Sequence, residues 1–192
     1  MVTYKIYVPI RKKVCRMNLV NPNDVAKWFS SQKIIEKPNT REGNMKIQKL
    51  LFFAQLIYME KNNGKTMFNE EFMAFKDGVV LKTVMNNYRK QYNEMFKDIK
   101  VNELNFDKDI LETLNTTVEI FGNASAQELS ELSHEFDAWN YFFEKSKRFG
   151  FYLTKSSLIP YDELKKELYR IEKVLKGFEL SKQYNTSEEE DY

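Results

Sequence analysis

His134 and Cys15 are the only histidine and the only cysteine of the chain, so side-chain chemistry is sought there first. Histidine alone titrates near neutrality without help from its surroundings. To act in catalysis, His134 would need a nucleophile or carboxylate within reach. Ser133, Glu135 and Asp137 lie close in sequence, but adjacent residues do not share a helix face. A structural histidine, hydrogen-bonded and buried between helices, is the expectation, and an enzyme that uses His134 is the alternative. Cys15 stands among Arg11, Lys12, Lys13 and Arg16, cations that would lower a thiol pKa. It lacks the sequence context of a thiol enzyme, so an inert thiol is expected. Glu70, Glu71 and Asp77 match no metal-ligand spacing and read as a solvated face. The chain has no P-loop, no Rossmann glycine fingerprint, no zinc spacing and no nucleophile elbow. The expectation is a protein that is not an enzyme, with no cofactor and no metal.

Composition narrows the classes further. A chain of 192 residues is read as one domain. Such a chain buries about 70% of its unfolded surface and needs no covalent staple. A net charge of +2 gives no bulk electrostatic case for nucleic acid. A single cysteine excludes an intramolecular disulfide, and a single histidine excludes a histidine cluster for metal. No apolar run approaches the ~18 residues of a membrane span, and no signal peptide is visible, so a cytoplasmic protein with no membrane partner is expected. The 15 Phe and 11 Tyr supply more aromatic surface than a small core needs, leaving material for an interface.

Periodicity gives the elements that would position these residues. Residues 1–20 contain five basic residues and no acid, and Val2, Tyr4, Ile6, Val8 and Ile10 alternate as in a strand. Pro9 demotes that strand to an edge strand or extended arm. Asn21, Pro22 and Asp24 open a helix whose apolar stripe is Val25, Trp28 and Phe29. Residues 37–43 read as a loop. The strongest helix is predicted over 45–62, with Ile47, Leu50, Leu51, Ala54, Ile57 and Tyr58 on one face. Phe52 and Phe53 widen the stripe, so other helices are expected to wrap it. Residues 66–78 are open between a strand and a helical turn, and 80–96 look helical. Further helices follow Asp107 or Asp109, the capping box Ser125–Glu128, and Asp137. Residues 156–160 read as a break, 161–175 as the last helix with Gly177 after it, and 181–192 as an acidic disordered tail.

Two patches within this layout carry a family likeness. The first holds Lys46, Lys49, Leu50, Leu51, Ala54 and Gln55, followed by Ala74, Phe75, Gly78 and Val80. The second holds Leu129, Ser130, Ser133, His134 and Trp139. In this order they resemble the Panacea domain of SocA-like antitoxins, from bacterial and phage toxin–antitoxin systems. That family shows K-x-x-K-L-L-ϕ-ϕ-A-Q, then A-W-x-x-G-P-V, then L-S-x-x-S-H-x-x-x-x-W. Phe75 stands where the family has Trp, and Val79 where it has Pro. The resemblance spans residues 21–168.

The fold expected is mainly α: a single-domain helical bundle over 21–180, with a small β element made by the N-terminal arm and residues 66–74. The resemblance implies an antitoxin that binds and neutralises a co-expressed, cognate toxin without breaking a bond. One family member delivers its toxin to a protease, so a protease or chaperone is a further partner that the resemblance implies. Nucleic acid enters only through a toxin complex, or through the basic arm if the protein is instead a regulatory module. Lys46 and Lys49 are read as snorkelling over core aromatics, with contact to a toxin or a nucleic acid left open. Lys46, Lys49, Leu50, Gln55, Gly78, His134 and Trp139 are the structural residues of the motif, and Gly78 is expected at positive φ in a tight turn. The partner-binding candidates are Tyr4, Tyr7, Arg11 and Arg16 on the arm, and Phe68, Phe72 and Lys76 before and within that turn.

Overall fold

The structure, a computed structural model, describes residues 19–97, 99–100, 103–148 and 157–189. It is mainly α, with nine helices and three short strands among these residues. Helix α1 (Pro22–Ser31) starts as its sequence dictates: Asn21 is the N-cap, its Oδ1 accepts from the Asn23 amide at 3.0 Å, and Pro22 takes the first position. Helix α2 (Arg41–Lys61) begins four residues before the predicted start, because Thr40 caps it through the Gly43 amide at 3.1 Å. Gly43 therefore lies inside the helix and not in a loop.

Helix α2 is the axis of the molecule. Ile47, Leu50, Leu51, Phe52, Ala54 and Leu56 are all wholly buried, so apolar residues meet neighbours on every side. A helix apolar all round must be enclosed. Here α1, α3 (Lys82–Lys90), α5 (Lys108–Phe121), α6 (Ala126–His134), α9 (Leu168–Glu189) and strand β2 (Gly78–Val80) enclose it. Phe52 meets Phe72 and Phe136 edge-on at 5.3 and 5.2 Å, and Phe53 stacks on Phe121 at 4.4 Å.

The sheet has the order β2-β1-β3, all antiparallel, with β1 at Phe72–Phe75 and β3 at Leu158–Ile159. Strand β3 lies in the stretch read as a break. It pairs Phe72 with Ile159 and Met73 with Leu158, contacts that no local signal encodes. The predicted strand of the N-terminal arm lies outside the described residues. Where the chain enters the described region, the Val20 amide donates to the Met67 carbonyl at 3.0 Å.

The region read as one helix over 80–96 is strand β2 followed by α3 and the single turn α4 (Tyr92–Met95). Helix α6 has the expected capping box: Ser125 Oγ accepts from Glu128 N, and Glu128 accepts from Ser125 N at 2.7 Å. Asp137 is the first residue of α7 (Asp137–Arg148) and does not cap it. Glu167, buried between α8 (Tyr161–Lys165) and α9, accepts from the Asp137 and Ala138 amides at 2.8 Å each. Helix α9 continues through Gly177 to Glu189, beyond the predicted stop and into the stretch read as a disordered tail.

Candidate functional site

The β1–β2 hairpin is where the two sequence patches meet. Its strands pair Phe75 with Gly78, leaving Lys76 and Asp77 as the loop. Gly78 has φ +95°, the conformation expected of it, while Lys76 and Asp77 have ordinary negative φ. A second reason for glycine is visible only in three dimensions. A Cβ at Gly78 would collide with Ser133 Oγ from α6 and with Lys49 Nζ from α2, and would stand 2.9 Å from Lys49 Cε.

Three helices grip the hairpin by its backbone. From α2, Gln48 Oε1 accepts from the Leu81 amide at 2.7 Å, and Lys49 Nζ donates to the Val79 carbonyl at 3.1 Å. Nearly two turns further on, Gln55 Oε1 accepts from the Met67 and Phe68 amides at 3.1 and 3.0 Å, tying down the approach to β1. From α6, Ser130 Oγ donates to the Asp77 carbonyl at 2.9 Å. From α7, Trp139 Nε1 donates to the Phe75 carbonyl at 2.9 Å. Buried backbone donors and acceptors must be paired, and a three-residue strand beside a helix has few strand partners to offer. Lys49, Gln55, Ser130 and Trp139 of the motif, together with Gln48, supply those partners.

His134 does not have the hydrogen bonds expected of it. Its ring lies against Trp139 with centroids 3.9 Å apart and planes 18° apart. Its Nε2 is buried and has no hydrogen-bond partner among the described residues. Burial, followed by the charge of Lys49, pushes its pKa down, so the neutral ring is favoured. The neighbouring Ser133 faces the other way. It is wholly buried, and its hydroxyl donates to the Ser130 carbonyl at 2.7 Å.

The two lysines correct the expectation of snorkelling. Lys49 is 0% exposed, and burial brings its pKa down to about 7 against an opposing effect from Asp77. Lys46 is 4% exposed, with Nζ 4.0 Å from Glu36, and burial lowers its pKa too. Both heads stay inside because α6 and the hairpin cover the helix face from which a stem would reach water. Leu50 is a core residue, as its spacing requires. Phe68 and Phe72 are also core, each 0% exposed, which removes them as surface anchors for a partner. Phe72 meets Phe52 across the core, and Phe68 meets Phe72 at 6.5 Å. Lys76 is exposed at the hairpin tip. Tyr4, Tyr7, Arg11 and Arg16, with Cys15, lie outside the described residues.

The three acids are not one solvated face. Glu70 accepts from the Thr83 amide at 2.9 Å and so caps the start of α3, and Asp77 pairs with Arg41. No group of three or more metal-ligating acids, histidines or cysteines occurs among the described residues. No helix among them is long and apolar enough to cross a membrane. Beside the hairpin tip lies a pocket of ≈ 450 Å³, walled by the first turns of α2, by Phe75, Asp77 and Val80, and by Met85, Tyr88 and Arg89 of α3. Sequence reasoning missed Gln48, Glu167 and this pocket. Gln48 had a visible signal, since Gln48 and Gln55 stand seven residues apart with Lys49 the only polar residue between them.

No curated protein and no solved structure matches this chain. Residues 47–140 match the family model described as antitoxin SocA-like, Panacea domain. The matched stretch is shorter than the 21–168 of the resemblance, yet it holds the whole hairpin, Lys49, Gln55, Ser130, Ser133, His134 and Trp139. Apart from Gln48, the side chains that bind the hairpin are thus those of the motif, and residues 47–140 are similar to the Panacea domain of SocA-like antitoxins.

Proposed function

We propose that this protein binds and neutralises a co-expressed toxin by direct protein–protein contact, as a binder that breaks no bond. The match of residues 47–140 to an antitoxin family carries the reading. The local chemistry supports it. Ser133 and Lys49, the pair best suited to nucleophilic work, are sealed from solvent and bonded to backbone carbonyls. Such residues build a rigid support for a presented turn. The contact surface in this reading is the hairpin tip at Lys76 together with Tyr4, Tyr7, Arg11 and Arg16 of the basic arm. A standard interface needs about 800 Å² per partner, more than a two-residue tip offers, so a second element such as the arm is required. Delivery of the toxin to a protease or chaperone is the variant mechanism, and the cytoplasm is the compartment that suits it.

Co-expression with the toxin encoded in the neighbouring reading frame tests the proposal. Growth is restored, and the two proteins co-elute. Added salt weakens the complex little, whereas a phosphate-bound complex would fall steeply with salt. Deleting residues 1–17 leaves the melting temperature near that of the full chain and weakens toxin binding. Growth arrest that persists while both proteins are folded and expressed would refute the proposal. A toxin whose half-life shortens in the complex marks the delivery variant.

A further inference from the structure

The pocket beside the hairpin has a composition that the hairpin clamp does not explain. Its cations come from three places: Arg41 in the first turn of α2, Lys49 about two turns further along, and Arg89 in the last turn of α3. Its single acid, Asp77, is already paired with Arg41. Lys49 has three N–H donors, and among the described residues its one hydrogen bond goes to Val79 O. The amino end of the 21-residue helix α2 forms part of the same wall and adds its own positive potential. The rest of the lining is largely apolar, from Met45, Phe75, Val80 and Met85. The volume of ≈ 450 Å³ falls within the ~300–1,000 Å³ range of small-molecule sites.

From this arrangement we propose that the pocket binds a small organic phosphate. The phosphate lies between Arg41 and Arg89 with the buried Lys49 behind it, and a compact ring lies against Met45, Phe75 and Met85. Two guanidinium groups approaching from different helices suit a dianion with several acceptor oxygens better than a single carboxylate. Inorganic phosphate would fill only a fraction of the space and leave the apolar wall wet. The site is independent of the toxin reading, because binding is measured on this protein alone.

The test uses the full chain and four probes at matched ionic strength: inorganic phosphate, ribose 5-phosphate, adenosine and adenosine 5′-monophosphate. Calorimetry and thermal melts are expected to show the monophosphate binding at least tenfold more tightly than the other three. Arg89→Glu, at an exposed position, is expected to keep the ligand-free melting temperature and lose at least tenfold in affinity. Lys176→Glu, at an exposed position of α9, is expected to leave the affinity for the monophosphate unchanged and so controls for general charge. Three results would each overturn the proposal: no shift with the monophosphate beyond that of matched sodium chloride, equal losses in the two variants, or ribose 5-phosphate binding as tightly as the nucleotide.

Discussion

The two halves of helix α2 are buried to the same degree and for different ends. Toward its start, Asn44, Lys46, Gln48 and Lys49 are buried polar residues, between 0% and 8% exposed. Toward its end, Leu50, Leu51, Phe52, Leu56 and Met59 are buried apolar residues, each 0% exposed. The apolar half gains stability mainly from packing, Gln55 being its one wholly buried polar residue. The polar half fixes a hairpin in place, and burying an ammonium there opposes stability unless it is well bonded. One helix thus largely separates holding the fold together from holding a particular turn still.

The largest effect is expected in the apolar half. Leu50→Ala or Leu51→Ala should lower stability by about 2–5 kcal/mol, read as a drop in denaturation midpoint at unchanged slope. Unshifted midpoints for both would remove α2 from the core. Gly78→Val comes next. It combines a strained φ with a collision against Ser133 and Lys49, and a loss of a few kcal/mol is expected, about 1–3 from the backbone alone. Gly78→Ala should keep most of that loss, since the first added carbon already collides.

Lys49→Met sharpens the comparison through pH. Folding lowers the Lys49 pKa from 10.5 to about 7, so between those values the unfolded chain binds more protons than the folded one. Stability should therefore rise with pH from 7 to 9, by at most about 1.4 kcal/mol per unit. Below pH 7 the cost of burying the charge is fully present. Melts of Lys49→Met should lack this rise, and a rise of equal size in the variant would place its origin elsewhere. Above pH 10 the sign reverses for Tyr88, whose pKa burial raises to about 12. The smallest effect is Trp139→Phe, which loses the bond to the Phe75 carbonyl while keeping a ring against His134. About 1 kcal/mol is expected.

The same division decides what was legible in the sequence. Helices announced by caps and 3.6-residue spacing were readable: Asn21–Pro22 opens α1, and Ser125–Glu128 opens α6. Strand β3 was not, because two residues have no period and their pairing with Phe72 and Met73 spans more than eighty positions. The motif was legible as a family likeness, but its purpose was not. Nothing local says that Trp139 reaches the Phe75 carbonyl, or that Lys49 and Ser133 converge on Gly78. Phe68 and Phe72 show the opposite failure. Aromatic residues beside a turn look like anchors for a partner, and only the enclosing helices show that they face inward. Thr40 and Gly43 misled for a related reason, since a glycine after a loop-like run conceals a good cap three residues before it.

Glu167 gives the molecule an order of completion during synthesis. The amides of Asp137 and Ala138 find their acceptor 29 and 30 residues later in the chain. Until residue 167 has emerged from the ribosome, the start of α7 has no such acceptor. Trp139 sits two residues into that helix, so its hold on the hairpin carbonyl is among the last to form. Contacts of long sequence separation close late in any case. A nascent chain stopped before residue 167 would therefore hold its hairpin through Lys49 and Ser130 but lack the acceptor that fixes the start of α7.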